Sequence, residues 1–151
     1  MSATGFDIFD RTVQKTNLLL EELGEALHME DRHDVYLSLR TVLHALRDRL
    51  HPAEAAQLAA QLPMLLKGVY FDGWRPASPL VKVRDRQEFL DGIREPLRSR
   101  MPTADAERIT RAVFALLAAH VSAGEIEQVV TSLPEELRDL WPATEADALP
   151  D

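Results

Sequence analysis

Apolar residues recur at steps of three and four from the start of the chain: Phe6, Phe9, Val13, Leu20, Leu23 and Leu27, with Thr16 in the one polar slot of the repeat. That spacing predicts an amphipathic helix of about five or six turns with one narrow apolar stripe. The polar segment HMEDRHD (28–34) breaks the pattern, and Val35, Leu39, Val42, Leu46 and Leu50 define a second helix. His51-Pro52-Ala53-Glu54 restarts the chain, because Pro suits a first helical position. A short helix through Leu58 and Leu62 follows. It stops at Leu62-Pro63, since the residue before a proline is pushed out of the α region. Pro63 opens another short helix carrying Leu66, Val69 and Tyr70 to the Asp72-Gly73 turn.

Residues 72–84 (DGWRPASPLVKVR) are rich in Pro, Gly and Ser and read as a connector. Within it Leu80-Val81-Lys82-Val83 is the nearest thing to strand alternation, and it is too short to stand as one. A helix begins near Asp85 with Phe89, Ile93 and Leu97 inward, and Pro96 is expected to kink or end it. Thr103 is placed to cap the next helix, with Ile109, Val113, Leu116 or Leu117, and Val121 buried. Ser122-Ala-Gly-Glu125 reads as a capping box. Ile126, Val129 and Val130 follow, then Leu133-Pro134 and a last helix to Trp141.

The chain repeats itself. AAQLPMLLKGVYFDGW (59–74) and VTSLPEELRDLWP (130–142) share a Leu-Pro and a closing aromatic, and one shift of 71 residues aligns their flanks without a gap. Arg40, Val42, Leu46, Glu54, Gln57, Leu62, Pro63 and Leu66 match Arg111, Val113, Leu117, Glu125, Gln128, Leu133, Pro134 and Leu137. Leu50 with Val121, Lys67 with Arg138 and Tyr70 with Trp141 keep their character. Matches on apolar faces and helix boundaries are those a duplicated helical unit must keep. The expectation is an all-α helical bundle of two duplicated units with approximate internal two-fold symmetry. Copy one spans 6–71, the connector 72–84 and copy two 85–142, with an acidic tail over 143–151.

The F-x-x-F-x-x-x-V helix (Phe6, Phe9, Val13), Leu46-Arg47-Asp48-Arg49-Leu50, AAQLP with GW, and GEIEQV followed by LPEELRDLW together resemble the bacterial domain-of-unknown-function 2267 family. The resemblance runs from about Phe6 to Pro142. It implies an all-helical duplicated domain in a bacterium, with no established activity and no catalytic residues to carry over.

Composition narrows the function classes. A chain of 151 residues with 46% hydrophobic and 28% charged residues folds as a globular domain. The absence of cysteine excludes disulfides, thiolate metal sites and thiol nucleophiles. No apolar run is long enough for a membrane span and no leader is indicated, so a cytoplasmic protein is expected. The net charge of −8 argues against binding nucleic acid. Residues 82–111 reach only +2, and their pairs Asp91/Arg94 and Glu95/Arg98 read as a solvated helix face. A helix-turn-helix reading of 40–62 or 111–133 lacks basic flanks, and no glycine-rich phosphate loop is present.

Candidate chemistry is sparse. His28, Glu30, His33 and Asp34 crowd one segment with residue types that bind divalent metals, but a polar linker whose acids begin the next helix explains them too. His44, His51 and His120 stand at no triad spacing. Glu54 and Glu125 match across the copies as a pair of carboxylates, for which capping is the simpler role. Trp141 is expected to pack over its own unit. Trp74, beside Arg75 and Pro76, is the better partner anchor. The leading expectation is therefore a non-enzymatic domain acting through an unidentified protein partner or self-association, with no cofactor, in an accessory or stress-associated role. A small-molecule or metal-binding domain using 28–34 is the alternative. An enzyme would need a cleft of convergent polar groups between the copies.

Overall fold

A computed structural model describes residues 2–76 and 85–143. The possible strand at 80–83 lies outside the described residues, as do most of the connector and the tail. The described residues form eight helices: α1 (Asp7–Leu27), α2 (Arg32–Arg47), α3 (Pro52–Ala59), α4 (Met64–Phe71), α5 (Arg86–Leu97), α6 (Ala106–His120), α7 (Ala123–Ser132) and α8 (Glu135–Arg138). The described residues include no strand. α2 and α6 lie at the centre, packed on each other and both on α1 and α5; α4 leans on α1 and α2, and α3 meets α7.

The apolar spacing puts the expected side chains inside. Val42, Leu46, Leu62, Leu66, Val113, Leu117, Leu133 and Leu137 are all buried. Tyr70, Phe89 and Phe114 are the largest side chains closed off from water. The 71-residue shift also carries element starts onto one another, α3 onto α7 and α4 onto α8. Pro63 and Pro134 both stand immediately before a helix, with φ/ψ of −55/147 and −55/145. A proline there fixes φ and gives up only an N–H that the first turn leaves unpaired anyway. The two stretches part company afterwards. α4 runs eight residues and α8 four. In the shorter one Arg138 folds back onto the carbonyls of Leu133 and Thr131, and Arg111 takes that of Asp139.

Several local expectations are corrected. α6 is capped by Asp105, whose carboxylate accepts from the Arg108 N–H, and Thr103 stands two residues too early. Ser122 accepts from the Glu125 N–H as expected, but its own N–H donates to Gln61 Oε1 at 2.8 Å, so the glutamate half of the capping box is replaced by a side chain that follows α3. α5 continues through Pro96 and ends one residue later. The largest correction concerns α1. Its stripe is buried only from Thr16 onward, while Phe6 and Phe9 are half exposed, because the first turns of this helix overhang the elements that cover the rest.

Candidate functional site

The contact residues expected from sequence sit where α4 ends. Asp72-Gly73 turns the chain, with Gly73 at φ 75, a conformation that costs a side-chain-bearing residue strain. Trp74 follows, its N–H on the Phe71 carbonyl at 2.9 Å and its ring 5.0 Å from the Phe71 ring. Phe71 in turn meets Tyr70 edge-on. Trp74 is therefore half-buried against the core, whereas Arg75 and Pro76 are exposed. This arrangement presents one aromatic edge, a guanidinium and a stiff proline on a braced support.

The brace comes from α2. Arg40, His44 and Arg47 lie at i, i+4 and i+7, on one helix face. His44 Nε2 is 2.7 Å from the Val69 carbonyl, Arg47 Nη1 donates to the carbonyls of Tyr70 (2.8 Å) and Asp72 (2.9 Å), and Arg40 pairs with the Asp72 carboxylate at 2.9 Å. The Val69 and Tyr70 carbonyls belong to the last turn of α4, which has no i+4 partners of its own, and the Asp72 carbonyl follows it. Burial lowers the His44 pKa below its ordinary value, more than the Val69 carbonyl raises it, so the ring stays neutral and donates from Nε2. Tyr70 is closed from water, its hydroxyl on the Ala55 carbonyl at 3.0 Å, and burial raises its pKa. Sequence reasoning missed Arg47 as a positioning residue. Its charge hid a position that the helical spacing otherwise marks as inward.

The 28–34 segment is a structural corner. His28 terminates α1 in the left-handed conformation (φ 52, ψ 43), with its N–H on Glu25 O and that of Met29 on Gly24 O. That double bond is the glycine-type helix stop with a histidine in the glycine's place. Gly24 permits the fold-back, since a Cβ there would lie 3.1 Å from the Met29 carbonyl. Asp31 caps α2 through the His33 N–H, and Arg100 bridges Asp31 (2.9 Å) and Asp34. The His33 backbone bond, and then Arg100, hold the Asp31 carboxyl below its usual range. His33 meets Tyr36 edge-on, and Glu30 is exposed. Among the described residues no three His, Asp or Glu side chains are grouped to hold a metal ion. His28 and Glu30 do line an open cleft of about 530 Å³ together with Glu21, Glu25 and Arg32. Replacing His28 by Gly should relieve the left-handed strain of roughly 1–2 kcal/mol at a smaller entropic cost, for a net gain of about 0.5–1 kcal/mol. Urea unfolding in the presence of a chelator measures it, and a loss of stability would point to a role for the imidazole.

Glu54 and Glu125 face each other across α3 and α7, which sequence spacing did not require. Neither carboxylate caps a helix. Glu54 Oε2 is buried without a hydrogen-bond partner, and the Glu125 pKa is raised by burial and then by the Glu54 charge. A carboxyl whose folded pKa lies above the unfolded one adds stability below the unfolded value, about 4.3, and loses it as pH rises through the folded value. Glu125→Gln is thus expected to melt higher than wild type at pH 7, with the advantage shrinking toward pH 4. An equal melting temperature at all pH values would show that the pair is fully solvated.

The remaining histidines are in structural positions: His120 Nε2 is 2.5 Å from Glu22 Oε2, and His51 precedes α3 without a side-chain bond. Trp141 is buried and stacks on Phe114 at 4.0 Å, as its sequence position suggested. Among the described residues no helix is long and apolar enough to cross a membrane. A family model described as "Uncharacterized conserved protein (DUF2267)" matches residues 16–140. A search of curated proteins finds no match.

Proposed function

The chain belongs to the DUF2267 family of uncharacterized conserved proteins, a membership that brings no activity with it, so from the chain's own surface we propose a non-enzymatic domain that works through protein–protein contacts. The observation that carries this reading is where the large apolar side chains left in water are found. Among the described residues they stand on α1 and α4 or at their ends: Phe6, Ile8, Phe9, Leu18, Met64 and Leu65. α4 ends in the braced Trp74-Arg75-Pro76 turn, which we take as the contact for a partner protein. Aromatic and arginine side chains on a rigid support lose little entropy on binding and dominate interface energetics.

The test is capture from the native host on immobilised full-length protein. A partner held by wild type should be lost with Arg75→Glu and retained with Arg98→Glu, a reversal of an exposed charge just past the end of α5. Arg75 is the sharper probe, because Trp74→Ala also removes packing from Phe71. Equal retention by all three proteins, or no retained partner, would overturn the assignment. The cleft beside His28 supports a second reading, a small-molecule or divalent-metal site. Stoichiometric metal in purified protein, lost on changing His28 and Glu30 to Ala, would establish it instead.

A further inference from the structure

Glu54 and Glu125 each stand third in their helix, α3 and α7. From that place a glutamate ordinarily reaches back to the backbone N–H of the residue that caps the helix. In α7 that N–H belongs to Ser122 and donates to Gln61 Oε1 at 2.8 Å, while Gln61 Nε2 donates to Ser122 Oγ at 3.0 Å. Gln61 thereby ties the chain just past α3 to the start of α7 through two bonds between groups that do not titrate. Both carboxyls are released from capping on half-buried side chains, and the docking of α3 on α7 brings them together. Glu54 Oε2 is closed off from water and accepts no hydrogen bond. An ionised carboxylate carries acceptors only, so a second one cannot satisfy that oxygen. One proton between the two can.

We infer that Glu54 and Glu125 hold one proton between them as the solution turns acid, and that this shared proton fastens α3 to α7. The O–H of one carboxyl then donates to the ionised oxygen of the other, a charge-assisted bond of the stronger kind. Two like charges at close range do not both stay ionised without cost. The surrounding elements supply no counter-charge in the proton's place. From α4, Tyr70 lies within range of the Glu125 charge, but burial raises its pKa and its hydroxyl is committed to the Ala55 carbonyl. From α6, His120 pairs with Glu22, and beside α8 Arg138 is held by the Leu133 and Thr131 carbonyls. His51, ahead of α3, is exposed. Burial and then the Glu54 charge hold the Glu125 carboxyl above its ordinary value, and no cation acts against them. A proton held this way tightens the junction below about pH 4.3, the ordinary glutamate value, and the gain fades as pH rises through the raised value. The Gln61 bonds persist throughout, so the junction loosens toward neutral pH without separating.

A carboxyl-carbon NMR titration of the full chain, run from about pH 3 to 8, tests the inference. Glu125 is expected to titrate above about 4.3, the value of an unperturbed glutamate, and Glu54→Gln should bring its midpoint down. Amide exchange on the same protein, referred to the intrinsic rate at each pH, reads the effect on the junction. As pH falls through the wild-type Glu125 midpoint, protection in α3 and α7 should rise at least about threefold relative to α5. Glu125→Gln should remove that rise and Glu54→Gln should reduce it, with the helical circular-dichroism signal retained in both. A Glu125 midpoint at the ordinary value, or one that Glu54→Gln leaves in place, would overturn the inference. So would wild-type protection in α3 and α7 that keeps step with α5 at every pH. None of these readouts involves a partner at the 70–76 turn, so the two assignments fail separately.

Discussion

Phe114→Ala is expected to destabilise the domain by about 3–5 kcal/mol, read as a lower urea midpoint at unchanged slope. Phe114 sits on α6, fully closed from water, with the Trp141 ring stacked on it at 4.0 Å and an interplanar angle of 11°. Truncation removes a large apolar volume and the stacking partner of a second aromatic. Trp141 cannot swing outward without exposing its own surface, so the cavity collapses poorly. Its indole Nε1 is already buried without a partner, which makes this end of the molecule intolerant of further loss. Against a typical total of roughly 5–15 kcal/mol, the substitution removes a large share of the folding free energy. A loss below 1 kcal/mol would mean that α8 and Trp141 are not packed as described.

Arg47→Ala should cost about 3–5 kcal/mol, although the residue is charged and its neighbour on the helix, Asp48, is half exposed. Arg47 is only 5% exposed, and three of its hydrogen bonds are anchored in place: two to the carbonyls that end α4, one to Asp48. Alanine leaves those carbonyls without a donor in a region that water reaches poorly. Met fills most of the volume and donates nothing, so Arg47→Met separates packing from hydrogen bonding. Lys, with a single ammonium, cannot reproduce the planar fork. The same loss should loosen the 70–76 turn, and amide exchange there should quicken more than in α7. Uniform quickening across the chain would mean that Arg47 supports the whole bundle rather than this turn.

The bundle was legible because helices write themselves locally. Three-four apolar spacing placed Leu46, Leu66, Leu117 and Leu137 inside, and two Leu-Pro corners marked where α4 and α8 begin. What remained hidden depends on distant partners. The stripe of α1 has the same spacing at Phe9 as at Leu23, yet only the latter is covered, since the reach of neighbouring helices is not written in the stripe itself. Gln61 takes the Ser122 N–H from across 61 residues, and Glu54 meets Glu125 only because α3 docks on α7. Trp74 could be singled out as a surface aromatic beside prolines, but its support on Phe71 and the three-residue brace on α2 required the fold. Corresponding elements meet each other, α2 on α6 and α3 on α7, and we propose that an approximate two-fold axis relates them. Backbone superposition of 40–71 on 111–142 in an experimental structure tests that relation.

The central claim is that the 70–76 turn, held by α2, is where a partner protein docks. Hydrogen–deuterium exchange on the captured complex, compared with the free protein, measures this directly. The account predicts slowed exchange concentrated from Tyr70 to Arg75, with the 28–34 corner unchanged. Slowing confined to 28–34, with the 70–76 amides exchanging as in the free protein, would contradict it.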